Sequence, residues 1–157
     1  MAVRSAGILL YRTGPAGTEV LLGHMGGPFW ARKDDAAWSI PKGEHGEDEE
    51  PLQVARREFE EETGTAPPAG PLLALGEATQ RNGKLVTVWA VPGDLDPATT
   101  TSNTFTMEWP PGSGRERQFP EIDRTGWFDL DTAAAKLVAG QRPFLERLRA
   151  ALQPDAG

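Results

Sequence analysis

The stretch GEHGEDEEPLQVARREFEEETGT, residues 43–65, decides the reading of this 157-residue chain. Pro51 suits the first turn of a helix, where its missing N–H costs nothing, and Asp48, Glu49 and Glu50 suit the positive end of the helix dipole. Gly64 suits the C-terminal stop. Between them Leu52, Ala55 and Phe59 recur at i, i+3 and i+7 and form one buried stripe. At about 100° per residue, Glu58, Glu61 and Glu62 share a face beside that stripe, and Glu60 points away from them. The three carboxylates should therefore line a cleft where the helix meets the body of the protein. Like charges at i,i+4 destabilise a helix by roughly 0.2–0.5 kcal/mol, so something positive should offset them. A set of carboxylate oxygens suits Mg²⁺ or Mn²⁺.

Taken alone, a run of glutamates is usually a solvated helix face. The spacing of the whole segment overturns that reading. Gly43, Glu49, Arg57-Glu58-Phe59, Glu61-Glu62 and Gly64 resemble the signature of the Nudix (MutT-like) hydrolase family. That signature runs Gly, five residues, Glu, seven residues, Arg-Glu, an apolar residue, any residue, Glu-Glu, any residue, Gly. Every spacing is intact, and Thr65 alone departs, standing where an aliphatic residue is usual. Seven fixed residues at ordinary usage would coincide by chance in about one in a million chains of this length.

The resemblance implies an α+β fold, the Nudix α/β/α sandwich with a mixed sheet between helices. It also implies metal-dependent hydrolysis of a phosphoanhydride bond in a nucleoside diphosphate linked to another group. Glu58, Glu61 and Glu62 match the metal-binding carboxylates, with Glu58 chosen as general base, and the carbonyl of Gly43 would add a ligand. Arg57 would orient a carboxylate through a bidentate hydrogen bond, and Glu49 would fix the loop onto the helix. Lys42 would touch a phosphate. Family members often add a carboxylate shortly before a Trp that opens a late strand. Glu121, six residues before Trp127, is the candidate for that extra ligand or base, with Glu108, Glu116 and Asp123 as substitutes. His24 and His45 read as non-catalytic.

The remaining composition narrows the class. A net charge of −7 argues against broad binding to nucleic acid or an anionic membrane, though not against a phosphorylated small molecule met through metal. The absence of Cys excludes disulfides, thiolate-bound zinc and a thiol nucleophile, and fits a cytoplasmic enzyme. No window reaches the roughly 18 apolar residues of a membrane span. A single domain over residues 1–157 is expected, and a homodimer is compatible with the resemblance.

Strands are expected over Val3–Tyr11, Glu19–His24, Ala37–Ile40, Leu72–Thr79, Leu85–Val91, Asn103–Trp109 and Gly126–Leu130. Pro41-Lys42-Gly43 reads as a break, Arg81-Asn82-Gly83-Lys84 as a hairpin turn, and Pro110–Gln118 as a basic loop. Further helices are expected over Ala133–Ala139 and Pro143–Leu152. Residues 92–118 otherwise carry Pro- and Gly-rich insertions that give no assignment.

Substrate choice is less sharply written. Trp38-Ser39-Ile40-Pro41-Lys42-Gly43 resembles the Trp-x-x-Pro-Lys-Gly lead-in of diadenosine-polyphosphate and nucleoside-triphosphate pyrophosphohydrolases in the family. The tyrosine those enzymes often carry after the signature is missing, since Tyr11 is the only Tyr. Phe29 and Trp30, in the loop before the signature, are candidates to stack on a base or to plug the core. Trp89 and Trp127 read as core. Arg32, Lys33, Arg115 and Arg117 lie on two loops and are candidates to embrace extra phosphates, with Arg32 and Arg115 preferred. The expected substrate is a nucleoside or dinucleoside polyphosphate. The alternatives are an oxidised nucleoside triphosphate, ADP-ribose, or a nucleotide-binding module without chemistry.

Overall fold

A computed structural model describes residues 3–153. In chain order the strands are β1 (Arg4–Gly14), β2 (Gly17–Met25), β3 (Trp38–Ser39), β4 (Lys42–His45), β5 (Leu73–Thr79), β6 (Leu85–Pro92), β7 (Thr104–Glu108), β8 (Glu116–Pro120) and β9 (Ile122–Asp129). The α-helices are α1 (Pro51–Thr63), α2 (Leu130–Lys136) and α3 (Pro143–Leu152).

β1 is the spine. Ser5 to Tyr11 are all buried, so the strand shows no alternation between apolar and polar residues. This is what a strand covered on both faces requires. Ala6, Ile8 and Leu10 join Ala55 and Phe59 of α1, with Leu21, Val91 and Leu95, in one apolar cluster. Leu9 and Tyr11 point the other way, into a cluster with Val88, Leu130, Leu137, Phe144, Leu145 and Leu148. A sheet packed by α1 on one side and by α2 and α3 on the other is the expected mixed-sheet sandwich.

β1 pairs in parallel with β6 from Arg4↔Leu85 to Tyr11↔Pro92. The outer end of β1 is antiparallel to β2, while its first residues are antiparallel to β4, with Ala6 opposite Gly43. β2 in turn pairs with β3 and with β9, and β5 completes the order β3-β2-β1-β6-β5. The divergence of β1 from β2 to β4 carries the chain from the core to the base of α1.

Several expectations need correction. Pro41-Lys42-Gly43 does not end the extended chain: the Pro41 carbonyl accepts from Ile8 N–H at 3.2 Å, and β4 begins at the next residue. Pro at the entry of a short strand costs no ladder donor. Residues 116–120, expected within or just past a basic loop, form β8 and pair antiparallel with β7. β2 and β9 are longer than expected, at Gly17–Met25 and Ile122–Asp129, because each completes the other's ladder. α2 starts earlier than Ala133, since Asp129 caps it by accepting from Thr132 N–H at 2.7 Å. Trp89 and Trp127 are half-buried, packed on the edge of the α1-side cluster rather than inside it.

Candidate active site

α1 starts at Pro51 and ends where Gly64, at φ 82°, donates its N–H to the Glu60 carbonyl. Phe59 and Ala55 are fully buried, which fixes the roll of the helix about its axis. With that roll set, Glu58, Glu61 and Glu62 line one cavity of about 380 Å³ together with Lys42, Gly43, Glu44, Asn103 and Glu121. The wall is therefore made by α1, by β4, and by the two residues that flank the β7–β8 hairpin.

Each position is constrained by its neighbours. A Cβ on Gly43 would stand 2.1 Å from the Glu58 carboxyl carbon, so any other residue here would have to push that carboxylate aside. Arg57 lies 3.5 Å from Glu49, 3.7 Å from Glu58 and 3.8 Å from Glu61. These are ion-pair separations to three carboxylates, not the bidentate hydrogen bond expected from the sequence. Glu49 also accepts from Gly46 N–H at 2.9 Å, tying the loop to the helix start.

The electrostatics of the cavity are unusual. Glu62 is 7% exposed. Burial first, and then the adjacent Glu58 carboxylate, push its carboxyl up to about 9. Glu58 is shifted upward as well, by burial and by Glu61. Burial also raises Glu121 and lowers Lys42, although Glu62 pulls the lysine the opposite way. Among the described residues no group of three acidic or histidine side chains stands ready-closed around one point. Burial and repulsion among Glu58, Glu61 and Glu62 favour the protonated forms of Glu58 and Glu62, and a multivalent cation would offset that repulsion. Oxygen donors, a neighbouring carbonyl on a glycine and an open polar cavity fit Mg²⁺ or Mn²⁺.

A second cavity of about 290 Å³ adjoins the first through Lys42 and is lined by Met25, Trp30, Ser39, Gln80, Arg81, Asn82, Lys84 and Gln141. Gln141 is fully buried; its Oε1 accepts from Ile40 N–H at 2.8 Å and its Nε2 donates to Ser39 Oγ at 3.0 Å.

A family model for the NUDIX domain matches residues 1–148. The chain belongs to the Nudix family. It is a Nudix pyrophosphohydrolase, with the α+β fold of that family. The Ap4A hydrolase of C. elegans is similar in structure at 21% identity, with 98% of this chain and 100% of that chain covered and a TM-score of 0.60. The MutT protein of Methanosarcina mazei matches at 21% identity over 98% of this chain and 96% of that one, with a TM-score of 0.62. The NUDIX domain of Shewanella oneidensis NrtR, solved with ADP ribose, matches at 16% identity over 98% and 90%, with a TM-score of 0.65. At such identities the likeness is one of fold. No curated protein sequence matches.

Against this Nudix frame the candidate residues divide. Lys42, Gly43, Glu58, Glu61, Glu62 and Glu121 meet in one cavity, and Arg57 stands behind it. Trp30 lines the adjoining cavity, whereas Phe29 is 64% exposed with the Lys33 ammonium 3.7 Å above its ring. Arg32 and Arg115 are exposed and line neither cavity. Of the substitutes for Glu121, Glu108 and Glu116 face each other across the β7–β8 hairpin. Asp123 instead pairs with the buried His24 at 2.8 Å. Asn103, expected only as the start of a strand, and Gln141 are not among the site candidates of the sequence. Neither sits in a motif, and both reach their cavities only through pairings distant in sequence. No helix is long and apolar enough to cross a membrane among the described residues.

Proposed function

We propose that this Nudix hydrolase cuts a phosphoanhydride bond in a nucleoside or dinucleoside polyphosphate, using Mg²⁺ or Mn²⁺ held by Glu58, Glu61, Glu62 and the Gly43 carbonyl. The observation that carries the reading is the pair of cavities that share Lys42. One is a carboxylate pocket suited to cations and phosphates. The other offers Trp30 as an apolar wall and the Gln80 and Asn82 amides as hydrogen-bonding groups, which suits a nucleobase. Lys42 at their junction would hold the phosphate that joins the two parts.

The bound cation would offset the phosphate charge and lower the pKa of a nearby water. Glu58 would take the proton from the attacking water, helped by a basicity already raised through burial. Arg57, between Glu49, Glu58 and Glu61, would hold those carboxylates in place. Glu121, on the opposite wall, would serve as an additional ligand or base. No covalent intermediate is required. The whole of residues 1–157 would act as one domain.

Product release from diadenosine tetraphosphate, ATP, ADP-ribose, 8-oxo-dGTP and an inositol polyphosphate, each with Mg²⁺, tests the proposal. Turnover of the first two above the others is the expected result. Preference for ADP-ribose or 8-oxo-dGTP would move the assignment to those substrates, and no release from any of them would overturn it.

A further inference from the structure

The β7–β8 hairpin continues the wall of the cleft outward. Its register pairs Thr104 with Pro120, Phe105 with Phe119, Met107 with Arg117 and Glu108 with Glu116. One step inward, Glu121 N–H donates to the Asn103 carbonyl at 2.9 Å, and Asn103 N–H donates to Glu61 of α1 at 2.8 Å. Asn103 and Glu121, which both line the carboxylate cavity, are thus the innermost rung of the same ladder. Opposed residues share a face and the face alternates along each strand. The side that begins with Asn103 and Glu121 therefore continues through Phe105 with Phe119 and Met107 with Arg117. It ends with Trp109 beside Arg115, whose carbonyl accepts from Trp109 N–H at 2.9 Å. The reverse side carries Thr104, Thr106, Gln118, Glu108 and Glu116.

Aromatic rings and guanidinium groups are thereby gathered on the side that carries Asn103 and Glu121, and two acids on the reverse side, in a chain whose net charge is −7. Arg117 lies over the Phe119 ring at 5.6 Å. The hairpin is also seated against the loop that bears Trp30. A Cβ on Gly26 would stand 1.9 Å from the Pro120 carbonyl, and one on Gly27 would stand 2.9 Å from the Phe105 ring. These two glycines let the loop sit directly on the base of the ladder. At about 3.4 Å per residue, the Phe105/Phe119 rung lies roughly 7 Å beyond Asn103/Glu121 and the Met107/Arg117 rung roughly 14 Å beyond.

We propose that this aromatic and arginine face is a second nucleotide subsite, which receives the far nucleoside of a dinucleoside polyphosphate whose phosphates lie among the carboxylates. The inference rests on the substrate reading above. A flat ring gives a base a stacking surface, and a guanidinium beside it meets the phosphate at its other end. Two arginines suffice for one nucleotide. An extended nucleic-acid strand would need a longer cationic track than the two arginines of this face provide.

Calorimetry on the full chain with Glu58→Gln, in Mg²⁺, measures diadenosine tetraphosphate and ATP binding without turnover. Arg117→Ala removes the cation, and Phe119→Leu keeps apolar volume while removing the flat ring. Each substitution is expected to weaken diadenosine tetraphosphate about tenfold more than ATP. Equal weakening of both ligands, or of neither, overturns the subsite, as does a larger effect on a 5′-triphosphorylated RNA oligonucleotide than on the dinucleotide. Turnover by the unsubstituted chain separates the two proposals. Selective binding without product release retains the subsite and removes the hydrolytic reading; turnover without selectivity does the reverse.

Discussion

Glu62→Gln should stabilise the metal-free protein. The Glu62 carboxyl is 7% exposed and is pushed from 4.5 up to about 9, chiefly by burial and then by Glu58. A raised folded-state value means that the folded chain keeps a proton that the unfolded chain releases. That contribution is fully present below about pH 4.5 and is lost progressively as pH rises toward about 9. At about 1.4 kcal/mol per unit, three units from 4.5 to pH 7.5 correspond to roughly 4 kcal/mol at most, less whatever is relieved by water entering the cavity. Glutamine keeps the shape but cannot ionise. In EDTA at pH 7.5 the variant should melt roughly 5–15 °C above the parent, and the two should converge near pH 4.5. With saturating Mg²⁺ the order should reverse, because the parent gains a ligand that the variant lacks. Thermal unfolding followed by circular dichroism over pH 4.5–8.5, with EDTA and with Mg²⁺, measures both effects. A variant no more stable than the parent in EDTA at pH 7.5, or an equal gain from Mg²⁺ in both, would refute the argument that burial of this carboxylate is offset by cation.

Gly43→Ala places a Cβ 2.1 Å from the Glu58 carboxyl carbon, so kcat/KM should fall by about a hundredfold or more as the carboxylate is displaced; near-normal kinetics would show that it has room to move. Glu61→Gln should abolish Mg²⁺-dependent product release while leaving the melting temperature within a few degrees, since Glu61 is exposed. Phe59→Ala empties a fully buried site between α1 and β1 and should cost about 3–5 kcal/mol in urea unfolding. Lys42→Met should raise KM for phosphorylated substrates more than it lowers kcat, because Lys42 stands at the junction of the two cavities. A drop in kcat alone would place the lysine in the chemical step.

What is legible in the sequence is what is local. The α1 face is set by residues three and four apart, so the position of Glu58, Glu61 and Glu62 beside the Phe59 stripe follows from helical geometry without any tertiary knowledge. The Asn82-Gly83 turn and the β5–β6 pair follow in the same way. β4 is hidden because Pro41-Lys42-Gly43 has the composition of a breaker, and only its pairing with Arg4–Gly7 makes it a strand. β8 is hidden because alternating Arg and Glu carry no apolar period, and its partner β7 lies across a turn of glycine, serine and proline. Asn103 and Gln141 are hidden for a stronger reason. Asn103 is placed by a backbone bond to Glu61, and Gln141 by bonds to Ile40 and Ser39, and such long-range contacts leave no spacing to read. Arg32, chosen for charge alone, lines neither cavity, and Arg115 stands on the outermost rung of the β7–β8 face instead; charge type without a fixed position says little about contact.

The same charges explain how an acidic protein can meet an acidic substrate. Without a cation, the cleft lowers its own charge: Glu62 is held toward its acid form, and Lys42 is shifted toward its neutral form despite facing it. Burial thus outweighs the mutual attraction of the pair, as expected where two groups share a poorly hydrated cavity. On the proposed reading, cation binding must displace the Glu62 proton, so affinity should rise with pH until that proton is gone. Lys42, freed of any lasting bond to Glu62, would then turn to the phosphate. Cation and substrate would each remove a reason for the other's exclusion, and measured Mg²⁺ affinity should increase when a nucleotide is present by the same factor that nucleotide affinity increases with Mg²⁺. Independent binding of the two at pH 7.5 would show that Lys42 and the carboxylates do not act as one site.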